Sequence, residues 1–502
     1  MDTTTRPPTR TGPRPAGADL LTRAHLVDAT APGMEGLALW LATRQLDVTA
    51  SITHAEQDSP AATRLRTAGV KVAVGFDADH VQADRSAVVW SGATTDPLPE
   101  LDQAQFLGLP VLTRALALTA LTGEHGEPLV AVYGSHETAT AAAALAAVLD
   151  DGRTSWVLTA ATQGGVPGQG IHGQRLVVDL GPDAGTHEAA SWSRLPHGPQ
   201  PVRRATPAVT LITAAAMNAP HFTDTIEALD AATALARASA TVVLPLWDKG
   251  AKIVHERLSD RPGPAVVTVG LEESADVWVL PPRWLGTEYL LTLHHRGERH
   301  QFTVPVVGRH HALAVCAAIA TALVVGEDPQ AVTQRAGGFR GAERSLAVLG
   351  TQAGVTVVDS RARHPREIEQ DVTAARMLTE GSVVVVLEPD GIARTSAHAA
   401  EIGAALGDAD HAVLLPVSTP LTEAPGPDPL EAVEQAALHK LGQGTVHLIR
   451  LGQGEPAPEQ RIFEMTAEGD LVLVVGTGQA ERLGPRLLFH LAAPAMPIPQ
   501  QL

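Results

Sequence analysis

The sequence predicts an α/β protein built on parallel sheets, with about three domains in its 502 residues. Two observations carry that expectation. Short apolar, β-branched runs recur along the chain, and each is followed by a helical stretch, the alternation that yields βαβ units. Hydrophobic residues make up 44% of the chain against 18% charged, which is ample material for buried cores. Aromatics are only 3%, so those cores must be built from Ala, Val and Leu.

The strand-like runs fall at 70–74, 87–90, 129–133, 175–180, 209–213, 241–246, 355–358, 382–387, 411–415 and 471–476. Residues 287–293 and 299–306 flank Glu298 and predict an antiparallel hairpin instead. Pro/Gly-rich stretches at 424–429 and 452–458 predict loops. Residues 1–22, rich in Thr, Pro and Arg, predict a disordered tail and not a signal peptide. The domains are then expected at 23–124, 125–338 and 339–502.

A net charge of −18 disfavours nucleic acid and anionic membrane surfaces, because both reward clustered cations. No run approaches the roughly 18 consecutive apolar residues of a membrane span. Cys316 is the single cysteine, placed in a helix predicted over 312–323, and reads as a small apolar residue of the core. Without a disulfide framework, the expected location is cytoplasmic.

The candidate chemistry lies at strand-to-helix turns. Between the strand at 129–133 and an Ala-rich helix, Gly134, Ser135, His136, Thr138 and Thr140 outline a phosphate-binding loop. Such a loop needs small residues whose backbone N–H groups cradle phosphate, a Lys for the terminal phosphates and a hydroxyl on Mg²⁺. Glu137 and Thr138 occupy the Gly-Lys pair, and Ala139 stands where the hydroxyl belongs. The four lysines, Lys71, Lys249, Lys252 and Lys440, all lie elsewhere.

This loop, matching G-T-H-G-K-T-T-T through Gly134, Ser135 and His136, resembles the ATP site of the Mur ligases, in particular the UDP-N-acetylmuramate:L-alanine ligases. Residues 25–36 are similar to the family's H-F-x-G-I-G-G-x-G-M-S-G, keeping Gly33, Met34 and Gly36, with Asp28, Thr30 and Ala31 in place of glycines. Residues 308–314 resemble G-R-H-N-x-x-N, keeping Gly308, Arg309 and His310, while His311 and Ala314 replace the amides. Arg344 is the one arginine left of F-x-G-x-x-R-R at 339–345. Residues 359–368 follow D-D-Y-A-H-H-P-x-E-I with Asp359, His364, Pro365 and Glu367 kept, and 388–395 look like Q-P-H-x-Y-S-R-T, which carries Arg394. The acidic metal segment E-A-D-E-S-D corresponds to 178–183, with Asp183 as a displaced ligand, and His221 falls in the D-x-x-H region.

The resemblance implies a three-domain architecture: a Rossmann-like N-terminal domain for the UDP-sugar, a P-loop-type central domain for ATP and a Rossmann-like C-terminal domain. Loss of the Lys, the loop hydroxyl and the acidic segment together predicts a non-catalytic homologue linked to peptidoglycan precursor metabolism, with no cofactor. It would act through contacts with cell-wall synthesis proteins or weak binding of a UDP-N-acetylmuramate-like ligand, and His221, Arg344 and His364 would be remnants of catalysis. The alternative is an active ligase that joins L-alanine to UDP-N-acetylmuramate with ATP and Mg²⁺. No resident metal is expected, since His294, His295, His300, His310 and His311 show no tetrahedral spacing. The stretch 164–170 is either a substrate loop or a flexible connection.

Overall fold

The computed structural model describes residues 20–31, 33–91, 98–125, 129–170, 175–181, 207–215, 225–260, 262–418, 428–442, 444–448 and 457–492. Residues 1–19 of the predicted tail, Asp183, His221 and most of the loops at 424–429 and 452–458 lie outside the described residues, while Leu20 and Leu21, counted in that tail, are instead buried in the core because their side chains are apolar. Chain contacts divide the protein into two compact units, the first holding residues 1–283, 290–304 and 313–342 and the second residues 284–289, 305–312 and 343–502.

In chain order the first elements are β1 (Ala24–Leu26), α1 (Met34–Thr43), β2 (Thr49–Ile52), α2 (Pro60–Thr67), β3 (Lys71–Val74), β4 (Ala87–Trp90), α3 (Pro99–Phe106), β5 (Val111–Thr113) and α4 (Arg114–His125). They form a parallel sheet of order β3-β2-β1-β4-β5, wound outward in both directions from β1. Next come β6 (Leu129–Tyr133), α5 (Thr138–Val148), β7 (Thr154–Val157), β8 (Gly168–Gln169), β9 (Arg175–Asp179), β10 (Val209–Ile212), α6 (Thr225–Ala238), β11 (Thr241–Pro245), α7 (Lys249–Ser259), β12 (Ala265–Gly270), β13 (Val277–Val279), β14 (Arg283–Trp284), β15 (Tyr289–His295), β16 (Glu298–Val304), α8 (Arg309–Val324) and α9 (Pro329–Ala336). Their parallel core runs β12-β11-β10-β6-β9-β7, with β8 antiparallel at one edge. On the other side β13 continues the parallel run, and β15 turns antiparallel to pair with both β13 and β16.

The second unit holds β17 (Ala347–Gln352), β18 (Val355–Ser360), α10 (Pro365–Arg376), β19 (Val383–Glu388), α11 (Ile392–Ala404), β20 (His411–Leu414), α12 (Leu430–Leu441), β21 (Val446–Leu448), α13 (Pro458–Met465), β22 (Leu471–Gly476) and α14 (Ala480–Ala492). Its sheet runs β17-β18-β22-β19-β20-β21, parallel except for β17. The central strands β19 and β22 are buried at every residue, as expected where helices cover both faces of a parallel sheet. All three sheets are thus of the α/β type expected.

Two expectations need correction. The hairpin turns at Arg296 and Gly297, both left-handed at φ 50° and 82°, so Glu298 is the first residue of β16 and not the turn. Two consecutive left-handed residues are what a tight hairpin demands. The stretch 164–170 is not a mere connection, because Gly168 and Gln169 form β8 against β7. A Cβ on Gly168 would lie 1.8 Å from the Gly36 carbonyl oxygen, and one on Gly36 would lie 2.5 Å from that of Leu158. The Gly170 amide donates to Thr43 Oγ1 at 2.7 Å. Helix α1 therefore rests on the β7–β8 edge through bare backbone, with Trp40 and Leu37 buried beside it.

Gly168→Ala is accordingly expected to destabilise the first unit by roughly 1–3 kcal/mol, the usual cost of overpacking. Thermal and urea unfolding measure it. An unchanged midpoint would mean that α1 and β8 do not approach through backbone.

Candidate functional site

The expected site residues sit at the carboxyl ends of parallel strands, where open α/β sheets present their crevices. Strand β6 is buried throughout and lies between β10 and β9, so its end opens at the middle of its sheet. A Cβ on Gly134 would come within 2.2 Å of Thr213 Oγ1, which holds this position to glycine. Thr213 Oγ1 donates to the His136 carbonyl at 2.7 Å, and the Ser135 amide donates to the Ala214 carbonyl at 3.1 Å. The His136 ring stands 4.0 Å from Asp248. Asp248 Oδ1 in turn accepts from Ala251 N at 2.8 Å and Ala215 N at 3.1 Å, capping α7.

Glu137 then takes φ 62° at the N-cap of α5, without a capping hydrogen bond from its side chain. A non-glycine residue there costs about 1–2 kcal/mol. The loop thus keeps the backbone of a phosphate loop at a position where the family pattern has glycine, with a carboxylate added. Thr138 and Thr140 are buried, so the position that would carry a lysine faces into the protein. Asp179, in the segment matched to the metal ligands, accepts from the Thr159 amide at 3.2 Å, the Thr159 hydroxyl and the Gly181 amide at 2.8 Å. Three of its roughly four lone-pair sites are thus engaged by the protein, two on Oδ2 and one on Oδ1.

The N-terminal turn repeats the pattern. Asp28 has φ 56°, again where the resemblance expects glycine. Burial first, then the charges of Glu56 and Glu100, push its carboxyl up to about 6. Glu100 is fully buried, accepting from Ser51 Oγ at 3.1 Å and meeting His80 Nδ1 at 3.0 Å and His25 Nε2 at 3.5 Å. These partners went unnoticed in the sequence because nothing in their spacing joins residues 25, 51, 80 and 100. Of the retained motif residues, Met34 is core and Gly36 is packing. Gly33 has φ 77°, and a Cβ there would strike the buried Arg114 guanidinium, which donates to the Asp179 carbonyl at 2.7 Å.

In the second unit, Arg344 grips Asp359 with two bonds of 2.8 and 3.0 Å and donates to the Gly476 carbonyl at 2.7 Å. This fork joins β18 to the end of β22. His364 caps α10: its Nδ1 accepts from the Arg366 amide at 3.2 Å while Glu367 reaches back to the His364 amide at 3.4 Å. Burial, then His398, Arg394 and Arg366, hold the His364 imidazole down to about 4, so it is neutral near pH 7. His310 Nε2 meets Asp371 Oδ1 at 3.0 Å, and Ser360 donates to the other oxygen of that carboxylate. Burial holds His310 down to about 4 and His311 down to about 3. Glu388 accepts from the Gln479 and Ala480 amides at the start of α14, and burial pushes its carboxyl up to about 7. Asp390 lies between Arg363 and Arg394.

Two family descriptions match the chain: "Mur ligase family, catalytic domain" over residues 23–125 and "Mur ligase, glutamate ligase domain" over residues 346–478. The UDP-N-acetylmuramate–L-alanine ligase of Thermobifida fusca is 32% identical, covering 94% of this chain and 98% of its own length. That of Kineococcus radiotolerans is 33% identical, covering 96% and 99%. Among solved structures, UDP-N-acetylmuramate-alanine ligase MurC of Thermotoga maritima superposes with a TM-score of 0.73 at 20% identity, covering 93% of this chain and 98% of that one. That likeness shows the same three-domain fold. Among the described residues no helix is long and apolar enough to cross a membrane.

Asp28 generates a pH prediction. Its folded carboxyl at about 6 lies above the ordinary 3.8, so the folded state holds the proton more tightly and stability falls as pH rises between those values. Asp28→Asn should therefore stabilise the protein above pH 6 and change little below pH 4, read from urea midpoints at both ends. A gain of equal size at both ends would place its origin outside the ionisation of Asp28. Separately, Glu137→Gly should raise stability by about 0.5–1 kcal/mol through relief of the left-handed turn, and a loss of stability would contradict that.

Proposed function

Since the chain belongs to the Mur ligase family, we propose that it works in peptidoglycan precursor synthesis as a UDP-N-acetylmuramate–L-alanine ligase that uses ATP and Mg²⁺. The observation that carries this reading is likeness along nearly the whole chain to relatives bearing that name, at 32% and 33% identity. The kept β6–α5 loop backbone and the Arg344–Asp359 fork are consistent with it. Ligation of this type joins the lactyl carboxylate of the sugar to the amine of L-alanine at the expense of ATP, and its catalysis is largely positioning and charge neutralisation. In this chain the loop supplies no lysine, so the phosphate charge has to be met by Mg²⁺ and by cations outside the loop.

A second reading is favoured by Glu137 and Thr138 standing in the Gly-Lys pair. Under it the chain is a non-catalytic homologue in the same metabolism, acting through cell-wall synthesis proteins or weak ligand binding. Phosphate release from the purified protein with UDP-N-acetylmuramate, L-alanine and Mg-ATP separates the two. Turnover that needs all three substrates supports the ligase. Without turnover, the triple variant Glu137→Gly, Thr138→Lys, Ala139→Thr is informative: substrate-dependent release would confine the defect to the loop, while continued silence supports the non-catalytic reading.

A further inference from the structure

Of the histidines whose spacing along the chain gives no tetrahedral set, two are brought together by the hairpin of β15 and β16. Arg296 and Gly297 form its two-residue turn, and Gln301 Nε2 donates to Thr292 Oγ1 at 3.2 Å. That register sets His295 opposite Glu298 and Leu293 opposite His300, so His295 and His300 are diagonal neighbours on one face, within reach of each other. His294 belongs to the other face, where its ring stacks on Trp278 with 4.6 Å between centroids. Leu293 and Val277, the latter paired with His295, are buried on the shared face. His295 Nδ1 and His300 Nε2 are both buried and have no hydrogen-bond partner among the described residues. Glu298 Oε2 lies 3.8 Å from His300 Nε2, on a side chain that is 75% exposed and free to turn.

We propose that His295 Nδ1, His300 Nε2 and the Glu298 carboxylate form a site for a divalent transition-metal ion of the zinc class. The Asp276 backbone accepts a hydrogen bond from the His295 ring. With Nδ1 unpartnered, the donor is Nε2, and the neutral ring then carries its lone pair on Nδ1. Metal-bound imidazoles are commonly oriented this way, by giving the other ring N–H to a backbone carbonyl. Burial, followed by the charges of Arg296 and His300, holds the His295 imidazole below its ordinary range despite the pull of Asp276. The ring is therefore neutral near pH 7 and able to ligate. Zn–N and Zn–O bonds of about 2.0–2.1 Å together span up to roughly 4.1 Å, so an ion fits between His300 Nε2 and Glu298 Oε2 with little movement. Two imidazoles and a carboxylate suit zinc and its neighbours, whereas Mg²⁺ takes oxygen ligands. An ion here would tie both strands together at the hairpin's tip and give two buried nitrogens the partner they lack.

The site stands whether or not the chain ligates. Untagged full-length protein, stripped with EDTA and dialysed, is titrated with zinc chloride in a calorimeter. The wild type should take up one more zinc ion per chain than the double variant His295→Gln, His300→Gln. Each single histidine variant, and Glu298→Ala, should bind that ion about tenfold more weakly or worse. His294→Gln should leave the binding unchanged, because that ring belongs to the opposite face, and Mg²⁺ in excess should not displace the zinc. A wild type that takes up no more zinc than the double variant, full affinity in any of the three ligand variants, or an equal loss in His294→Gln overturns the site. If the double variant does not fold, the zinc-induced rise of the thermal midpoint carries the same comparison: present in the wild type and His294→Gln, absent in His300→Gln.

Discussion

A parallel sheet can be built only if the chain leaves each strand, turns sharply and enters a helix, and in this protein that turn runs repeatedly through left-handed backbone. Asp28 after β1, Glu137 after β6, Gly391 after β19 and Gly478 after β22 all have positive φ. Glycine accepts that conformation without cost, and other residues hold it only when the surrounding packing imposes it. The sheets impose it here. At Asp28 and Glu137 the chain has exchanged the side chain that the family pattern expects without altering the path of the backbone. The fold therefore does not register the change, although both turns now carry a carboxylate.

The same separation explains which motif residues survive. Gly36 is required because α1 meets the β7–β8 edge through backbone, and Gly134 because Thr213 closes over it. His364 and Glu367 cap α10, and Arg344 ties β18 to β22 through Asp359 and Gly476. Each of these has a structural reason that is independent of any ligand. Some of the exchanged residues meet each other or a kept one. Arg363 with Asp390 is an exchanged pair that meets in space, and Ser360 donates to Asp371 beside His310.

Much of the fold was legible because parallel strands buried on both faces read as continuous Val- and Leu-rich runs, as in β19 and β22. Shorter strands escaped. β1 and β5 have only three residues each, too few for a pattern to stand out from buried helix. β12, with six residues of which three are valine, escaped as well. In the candidate site, what could be read was whatever lies within one loop, such as Glu137 beside Thr138. What could not be read was any set of partners brought together only by topology. Glu100 with His25 and His80, and Asp390 with Arg363, are separated by tens of residues, and a single sequence carries no distance information between them.

Electrostatics then sets what an active site here would have to overcome. A carboxylate about 4 Å from a phosphate oxygen, at the effective dielectric of a partly exposed cleft, opposes binding by about 4 kcal/mol per unit charge. That is roughly a thousandfold in affinity. The family's loop has a lysine that works in the opposite direction, so exchanging Gly-Lys for Glu137-Thr138 changes the local charge by two units. Of the loop's backbone donors, the Ser135 amide is already spent on Ala214. Whether the chain ligates therefore depends less on how faithfully it keeps the fold than on whether a cation outside the loop reaches the phosphates, or whether Glu137 can take up a proton or swing aside when nucleotide arrives.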